Sequence, residues 1–464
     1  MSDRLSPLDA SFLYMEEPTT AMHVGAVLIF DPPEHGEFDH EEIKRLIGAR
    51  LGLIPCYRQK VKEIPGHLGA PVWVDDPDFD LGYHVRRSAL PKPGSMAQLR
   101  DLTGRLMSRQ LDRTRPLWEM YLVEGLEGGR SALISKTHHA MVDGVSGVDL
   151  LAVILDVTVT PREVPAQTWV PQPEPGAVAL LADVARDLLA RPASVVDTVR
   201  ANVSDVRATA ERLSTVAGGV LAAALTSLSP APASPLNATI GRQRRYGTAA
   251  TDLDDYKRVR KAHGGTVNDV VLATVAGALR AWMLTRGEPV TPATTLRAMV
   301  PVSVRGDDQP GALGNRVSSY FVDLPVGEPN PVLRLQHVSY AMQAHKESNQ
   351  AVGAEALIAL TGFAPPTLTA LGARVTSSLS RRLFNLVVTN VPGPQFPLYS
   401  GGARLLAMYP VVPLAKQQAV CIGLLSYDGG VFYGLNADRD AMEDVDVLAQ
   451  CLIDSLAELV ETVR

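Results

Sequence analysis

Two adjacent histidines, His138 and His139, are the residues of this sequence whose type and position best suit acid–base chemistry. They open the run HHAMVDG, which ends in Asp143 and Gly144. Imidazole titrates near neutral pH, so a histidine held in a cleft can take the proton of a hydroxyl or an amine. The aspartate could fix the loop, and glycine permits a backbone that other residues resist. A purely structural histidine pair is the alternative.

The flanking sequence predicts where these residues lie. Residues 131–137 alternate with a period near two, which indicates a strand that ends at the histidines. Beyond the run, apolar residues recur with helical spacing at Val145, Val148, Leu151, Val153, Ile154 and Val157. Neighbouring side chains on an extended backbone point to opposite faces, so only one of the two histidines can easily face a given cleft.

Other chemistries fit the sequence less well. Adjacent histidines cannot share one helix face as zinc ligands, and no third histidine or cysteine lies near, so we expect no metal. The stretch from Gly144 to Gly147 lacks the elbow that exposes a nucleophilic serine, and dinucleotide and Walker motifs are missing. A histidine base that acts directly, without a covalent enzyme intermediate, remains.

Length and composition exclude several classes of protein. A chain of 464 residues with 46% hydrophobic and 20% charged residues is typical of a globular protein of about two domains. A net charge of -6 argues against nucleic acid as a partner. Three distant cysteines without a CxxC pair favour the cytoplasm. The sequence shows neither a signal peptide nor an uncharged apolar run of about 18 residues, so membrane contact would be peripheral.

Strand and helix patterns alternate in both halves, which predicts two α/β layered domains of similar size. Prolines cluster at residues 161–175 and 230–235. We therefore predict an N-terminal domain at 1–160, a Pro-rich and helical linker at 161–246 and a C-terminal domain at 247–464. The Ala-rich helices between 177 and 225 either pack between the domains or lie on a lipid surface.

Several segments together resemble one known family. HHAMVDG resembles the HHxxxDG motif of the CoA-dependent acyltransferase superfamily, which includes chloramphenicol acetyltransferases and peptide-synthetase condensation domains. Further segments resemble the bacterial wax ester synthase/diacylglycerol acyltransferase family: Pro7-Leu8-Asp9, Trp73 to Leu81, Pro116-Leu117-Trp118, Asn268-Asp269 and Asn390 to Pro394. The DFGWG sequence of the plant branch is absent. The resemblance implies two chloramphenicol-acetyltransferase-like α/β sandwich domains with the active site in a tunnel between them.

The resemblance also implies a reaction. An acyl-CoA substrate would acylate diacylglycerol to give triacylglycerol, without a cofactor, and a long-chain alcohol giving a wax ester is the nearest alternative. The same motif would also suit a condensation-type enzyme that uses a carrier-bound acyl group, or a non-catalytic relative that binds acyl chains. Contact with a membrane or lipid droplet would be peripheral. The sequence does not set the acyl chain length, the acceptor preference or the oligomeric state.

Residue roles follow from the same resemblance. His139 would be the general base and His138 a supporting residue. Asp143 would be structural and paired with an arginine, for which Arg58 is the candidate, and Gly144 would allow the turn. Five residues would shape the substrate tunnel, namely Pro116, Leu117, Trp118, Asn268 and Asp269.

Each substrate-binding assignment has a plain alternative. Core packing would explain the Pro116-Leu117-Trp118 segment. Thr266 as N-cap with Asp269 at the third helical position would form a capping box, which needs no catalysis. Arg242, Arg244 and Arg245 would meet the CoA phosphates or form a solvated basic patch.

Overall fold

The computed structural model describes residues 4–33, 38–142, 150–165, 168–190, 230–303, 317–347, 352–353 and 383–463. The strands are β1 His23–Phe30, β2 Gln59–Lys62, β3 Val72–Asp75, β4 Val85–Ala89, β5 Trp118–Glu124, β6 Ser131–His138, β7 Arg244–Asp252, β8 Leu296–Ser303, β9 Val317–Leu324, β10 Val352–Gly353, β11 Leu386–Pro392, β12 Tyr399–Ser400, β13 Ala403–Val411, β14 Val420–Tyr427 and β15 Gly430–Asp438. The helices are α1 Pro7–Met15, α2 His40–Arg50, α3 Leu81–His84, α4 Met96–Met107, α5 Leu150–Ile154, α6 Ala177–Ala190, α7 Leu253–His263, α8 Val267–Thr285, α9 Pro331–Glu347 and α10 Val445–Glu461.

Two large mixed sheets organise these elements. The first has the order β12-β13-β1-β6-β5-β4 and the second the order β10-β9-β8-β11-β14-β15-β7. Strand β4 runs parallel to β5, and β11 runs parallel to both β8 and β14, whereas the other pairings are antiparallel. The α/β class predicted from the alternating patterns is confirmed.

The second core is built around helix α8. Its residues from 269 to 279 are all buried, because α7, α9 and α10 all pack against it. Among the described residues α8 is the one helix long and apolar enough to cross a membrane, but 72% of that stretch is buried inside the protein. A helix that is apolar all round and enclosed by its own domain is a core helix.

The first sheet contains strands from both halves of the sequence. Strand β13 pairs with β1 along its length, and β12 pairs with β13. Residues of β13, together with Tyr246, Tyr427 and Phe432, belong to the same hydrophobic cluster as β1, β5 and β6. The predicted boundaries at 160 and 246 therefore do not separate the two sheets. Residues 399–411, which belong to the predicted C-terminal domain, lie in the first sheet.

Strand β6, predicted from the alternation of residues 131–137, is present and ends at His138. Helix α5 ends at Ile154, earlier than the apolar pattern through Val157 predicts, and Val157 is 65% exposed. The chain leaves the helix there because the backbone of Asp156 bonds to that of Tyr399 in both directions. Of the Ala-rich helices predicted between 177 and 225, the structure describes α6, and residues 191–225 lie outside the described residues.

Candidate active site

The two histidines lie at the end of β6, in the middle of the first sheet. His138 is the last residue of the strand and pairs with His23 of β1. Its N–H donates to the carbonyl of Leu117 at 2.9 Å, and the N–H of His139 donates to the carbonyl of Met22 at 2.8 Å. A 3₁₀ turn over His139–Met141 follows, so the backbone at the motif is held from both neighbouring segments.

The ring of His138 is fully buried, and its contacts define its protonation. The N–H of Ala140 donates to Nδ1 at 3.1 Å, so Nδ1 supplies a lone pair there. The proton of the neutral ring is then on Nε2, which lies 3.7 Å from a carboxylate oxygen of Glu16. The buried ring of His138 therefore presents no exposed nitrogen to a substrate.

His139 has a different environment. Its ring is partly exposed and stacks on Phe12 of α1, with 4.0 Å between the ring centroids and 23° between the planes. Stacking fixes the plane of an imidazole without consuming its lone pair. Of the two adjacent rings, His139 is the more exposed one, and its role as the base stays a prediction.

Sequence reasoning missed Glu16, whose side chain is 2% exposed and whose carboxylate lies 3.4 Å from His23 and 3.7 Å from His138. Arg113 donates to Oε2 through Nε at 3.1 Å and Nη2 at 2.7 Å, and the N–H of Met22 donates to Oε1 at 3.3 Å. Burial acts to raise the pKa of Glu16, but the contacts with His138, His23 and Arg113 outweigh it and hold that pKa far below its usual value. Glu16 is therefore a buried, ionised carboxylate.

Local sequence explains why Glu16 and Phe12 reach the site together. Ser6 caps α1 by accepting from the N–H of Asp9, and a proline occupies the first turn, which matches the predicted Pro7-Leu8-Asp9 segment. The helix ends at Met15, and Glu16 is its C-cap, two residues before a proline. Phe12 and Glu16 are four residues apart and share one helix face, a spacing that could have indicated a functional pair.

A second buried histidine, His23, completes the cluster. Its Nε2 lies 3.4 Å from Glu16 and 3.3 Å from the N–H of Leu111. Burial, helped by the positive charge of Lys136, lowers the pKa of His23 from 6.5 to about 4, although Glu16 acts in the opposite direction. His23 is therefore neutral at physiological pH.

The Pro116-Leu117-Trp118 segment supports the strand end. Leu117 and Trp118 are 0% exposed, and the Trp118 indole donates to the carbonyl of Tyr57 at 2.8 Å. The Trp118 ring also stacks on His84, with centroids 4.6 Å apart. These contacts favour core packing over contact with substrate, while the carbonyl of Leu117 holds the backbone of His138.

The predicted tunnel residues Asn268 and Asp269 begin helix α8. Asp269 and Thr266 form the complete capping box, with Asp269 Oδ2 accepting from the N–H of Thr266 at 2.8 Å. Asn390 donates to Asn268 at 3.1 Å. The structure thus joins Asn268 to Asn390 within the second half, whereas a tunnel role for these residues stays a prediction.

The predicted arginine roles have different outcomes. Asp143 and Gly144 lie outside the described residues, so their pairing with Arg58 stays a prediction; the Arg58 guanidinium lies 5.1 Å from the centre of the Trp169 ring. Arg244 is 8% exposed, donates to the carbonyls of Thr19 and Gly241, and lies 3.6 Å from Asp438. The expectation that Arg244 meets a CoA phosphate is wrong, because its donors are used inside the protein.

Comparisons with known proteins agree with this architecture. Residues 5–271 match the model of the wax ester synthase/diacylglycerol acyltransferase catalytic domain, and residues 313–460 match that of the WS/DGAT C-terminal domain. The probable diacylglycerol O-acyltransferase tgs1 of Mycobacterium tuberculosis is 36% identical over 99% of this chain and 96% of its own. The probable diacylglycerol O-acyltransferase tgs2 of the same species is 36% identical over 99% of both chains.

Solved structures give the same result. The wax ester synthase/diacylglycerol acyltransferase from Marinobacter aquaeolei VT8 superposes with a TM-score of 0.72 at 28% identity, over 99% of each chain. The first condensation domain of the calcium-dependent antibiotic synthetase superposes with a TM-score of 0.58 at 17% identity, over 99% of this chain and 96% of its own, and shares the fold alone. This chain belongs to the wax ester synthase/diacylglycerol acyltransferase family.

Proposed function

We propose that this protein transfers a fatty acyl group from acyl-CoA to the free hydroxyl of diacylglycerol, giving triacylglycerol and CoA. The observation that carries the proposal is the contrast between the two histidines. His138 is fully buried, with Nδ1 accepting from the N–H of Ala140, whereas His139 is partly exposed and stacks on Phe12. Full-length similarity to probable diacylglycerol O-acyltransferases supports diacylglycerol as the acceptor.

The reaction needs one base and no group outside the protein and its substrates. His139 takes the proton of the acceptor hydroxyl as the oxygen attacks the thioester carbonyl. The tetrahedral intermediate collapses, the C–S bond breaks, and the thiolate of CoA recovers the proton from the imidazolium of His139. Such a base contributes about 10²–10⁴-fold to the rate.

The test measures CoA release from palmitoyl-CoA with diacylglycerol, with hexadecanol and with no acceptor. We expect the highest acceptor-dependent rate with diacylglycerol and at least a roughly 100-fold lower rate for His139→Ala. His337→Asn, which alters an exposed histidine of α9, is the matched control and should retain the full rate.

Each different outcome would point to a different activity. A higher rate with hexadecanol would make the protein a wax ester synthase, an activity that the name of its family includes. Release that depends on an amine and a carrier-bound acyl group would indicate condensation chemistry. Full turnover by His139→Ala would contradict the assignment of the base.

A further inference from the structure

The carboxylate of Glu16 lies beside the ring of His138 and is linked through Met22 to the backbone of His139. Oε2 lies 3.7 Å from Nε2 of His138. Oε1 accepts from the N–H of Met22 at 3.3 Å, and the carbonyl of Met22 accepts from the N–H of His139 at 2.8 Å. One acidic side chain is thus connected to the ring of His138 and to the main chain that presents His139.

Hydrogen-bond donors approach both oxygens of the Glu16 carboxylate. Arg113 donates to Oε2 and the N–H of Met22 donates to Oε1, while Nε2 of the His138 ring lies 3.7 Å from Oε2. Only a carboxylate can accept from all of them, because an amide would place its own NH₂ group against another donor. The site therefore requires an ionised glutamate rather than any polar residue of that size.

Helix α1 carries a second contact with the motif on the same face. Phe12 stacks on the ring of His139, and the N–H of Glu16 donates to the carbonyl of Phe12 at 3.2 Å. A displacement of Glu16 would therefore also shift the stacking partner of the base.

We propose that Glu16 is a positioning residue for the acyl transfer, which holds the His138 ring and the backbone of His139 so that the His139 imidazole meets the acceptor hydroxyl. The proposal rests on the proposed function. Small displacements of a reacting group can cost orders of magnitude in rate, so the effect belongs to kcat rather than to substrate binding.

The experiment compares Glu16→Gln with the wild-type chain at saturating diacylglycerol. We expect kcat for CoA release to fall by about tenfold or more while KM for palmitoyl-CoA stays within about twofold. Glu16→Asp, which keeps an acceptor-only group, should recover part of the loss. Glu458→Gln, which alters another carboxylate bonded to an arginine, Arg334, should leave kcat unchanged.

A double variant separates positioning from general damage to the fold. In the His139→Ala background, Glu16→Gln should reduce the residual rate no further, because the residue that Glu16 positions is already missing. If the two losses multiply instead, or if Glu16→Gln keeps wild-type kcat, the proposal is overturned.

A second readout does not depend on turnover. The ¹⁵N spectrum of the histidine rings, assigned with His138→Ala, should show the Nε2–H form of His138 in the wild type and a shift of that signal in Glu16→Gln. Unchanged His138 signals would overturn the role of Glu16 even in an active enzyme. Absence of acceptor-dependent CoA release by the wild type would instead contradict the proposed function.

Discussion

At the scale of single residues, the two adjacent histidines have different surroundings. His138 and His139 share one residue type and adjacent positions, yet one ring is enclosed by Ala140 and Glu16 and the other lies on Phe12 at the surface of the site. These contacts give the two rings different environments, although their positions in the sequence are adjacent.

The buried histidine His23 predicts a specific pH dependence of stability. Its pKa is about 4 in the folded protein and 6.5 ordinarily, so below pH 6.5 the unfolded chain binds a proton that the folded chain does not. Stability therefore falls as the pH drops from 6.5 towards 4. Between pH 7 and pH 5 we expect a loss of about 2 kcal/mol from this residue.

Urea unfolding at pH 7 and pH 5 measures that loss. His23→Gln, which keeps an acceptor for the N–H of Leu111, should show a smaller difference between the two pH values than the wild type. His337→Asn should show the wild-type difference, because His337 is exposed. An unchanged difference in His23→Gln would show that His23 does not cause the acid sensitivity.

At the scale of elements, the motif depends on the close pairing of β1 with β6. Gly25 faces the carbonyl of Ser135 so closely that an added Cβ would lie 2.1 Å from that oxygen, and the atom that it would meet is backbone. If β1 moved away from β6 to make room for the added atom, His23 would be separated from His138, its partner in the same pairing.

Gly25→Ala should therefore reduce both stability and acyl transfer. We expect a loss of at least about 2 kcal/mol in the free energy of unfolding, since forced overpacking in a core typically costs about 1–3 kcal/mol. Gly176→Ala is the matched control, because a Cβ there would meet nothing within 4 Å. Urea midpoints and CoA release measure the two effects, and a Gly25→Ala protein of wild-type stability would contradict the steric argument.

At the scale of the whole molecule, the histidine cluster lies beside a seam between the two halves of the chain. The residues after Glu16 reach across it, since Glu17 pairs with Lys416 at 2.9 Å and the carbonyl of Thr19 accepts from Arg244. The hydroxyl of Tyr246 donates to the carbonyl of Pro410 in β13 at 2.9 Å. The same segment thus binds the proposed base and the opposite half.

Because β12 and β13 of the second half belong to the first sheet, we predict that the two halves cannot fold separately. A fragment of residues 1–246 lacks β12 and β13, so β1 would present an unpaired edge and an uncovered core. We expect this fragment to aggregate in size-exclusion chromatography and to regain a compact form when co-expressed with residues 247–464. Cooperative urea unfolding of the isolated fragment would contradict the prediction.

Local patterns were enough to predict much of the fold. Period-two alternation identified β6, and the Thr266 and Asp269 spacing identified the cap of α8. Both depend on residues close in sequence, where spacing alone determines the geometry. Short motifs in a fixed order indicated the family, and the resemblance to that family implied acyl transfer.

The sequence by itself determined that a histidine pair ends a strand in an α/β protein of this acyltransferase family. Only the tertiary structure decided that Ala140 and Glu16 enclose one ring while Phe12 stacks on the other, because the spacing of the two histidines does not reveal these contacts. It also decided that Arg244 forms its hydrogen bonds inside the protein and that β13 pairs with β1 in the first sheet. Those outcomes depend on residues more than a hundred positions apart, whose pairing arises from burial and hydrogen bonding in the folded chain.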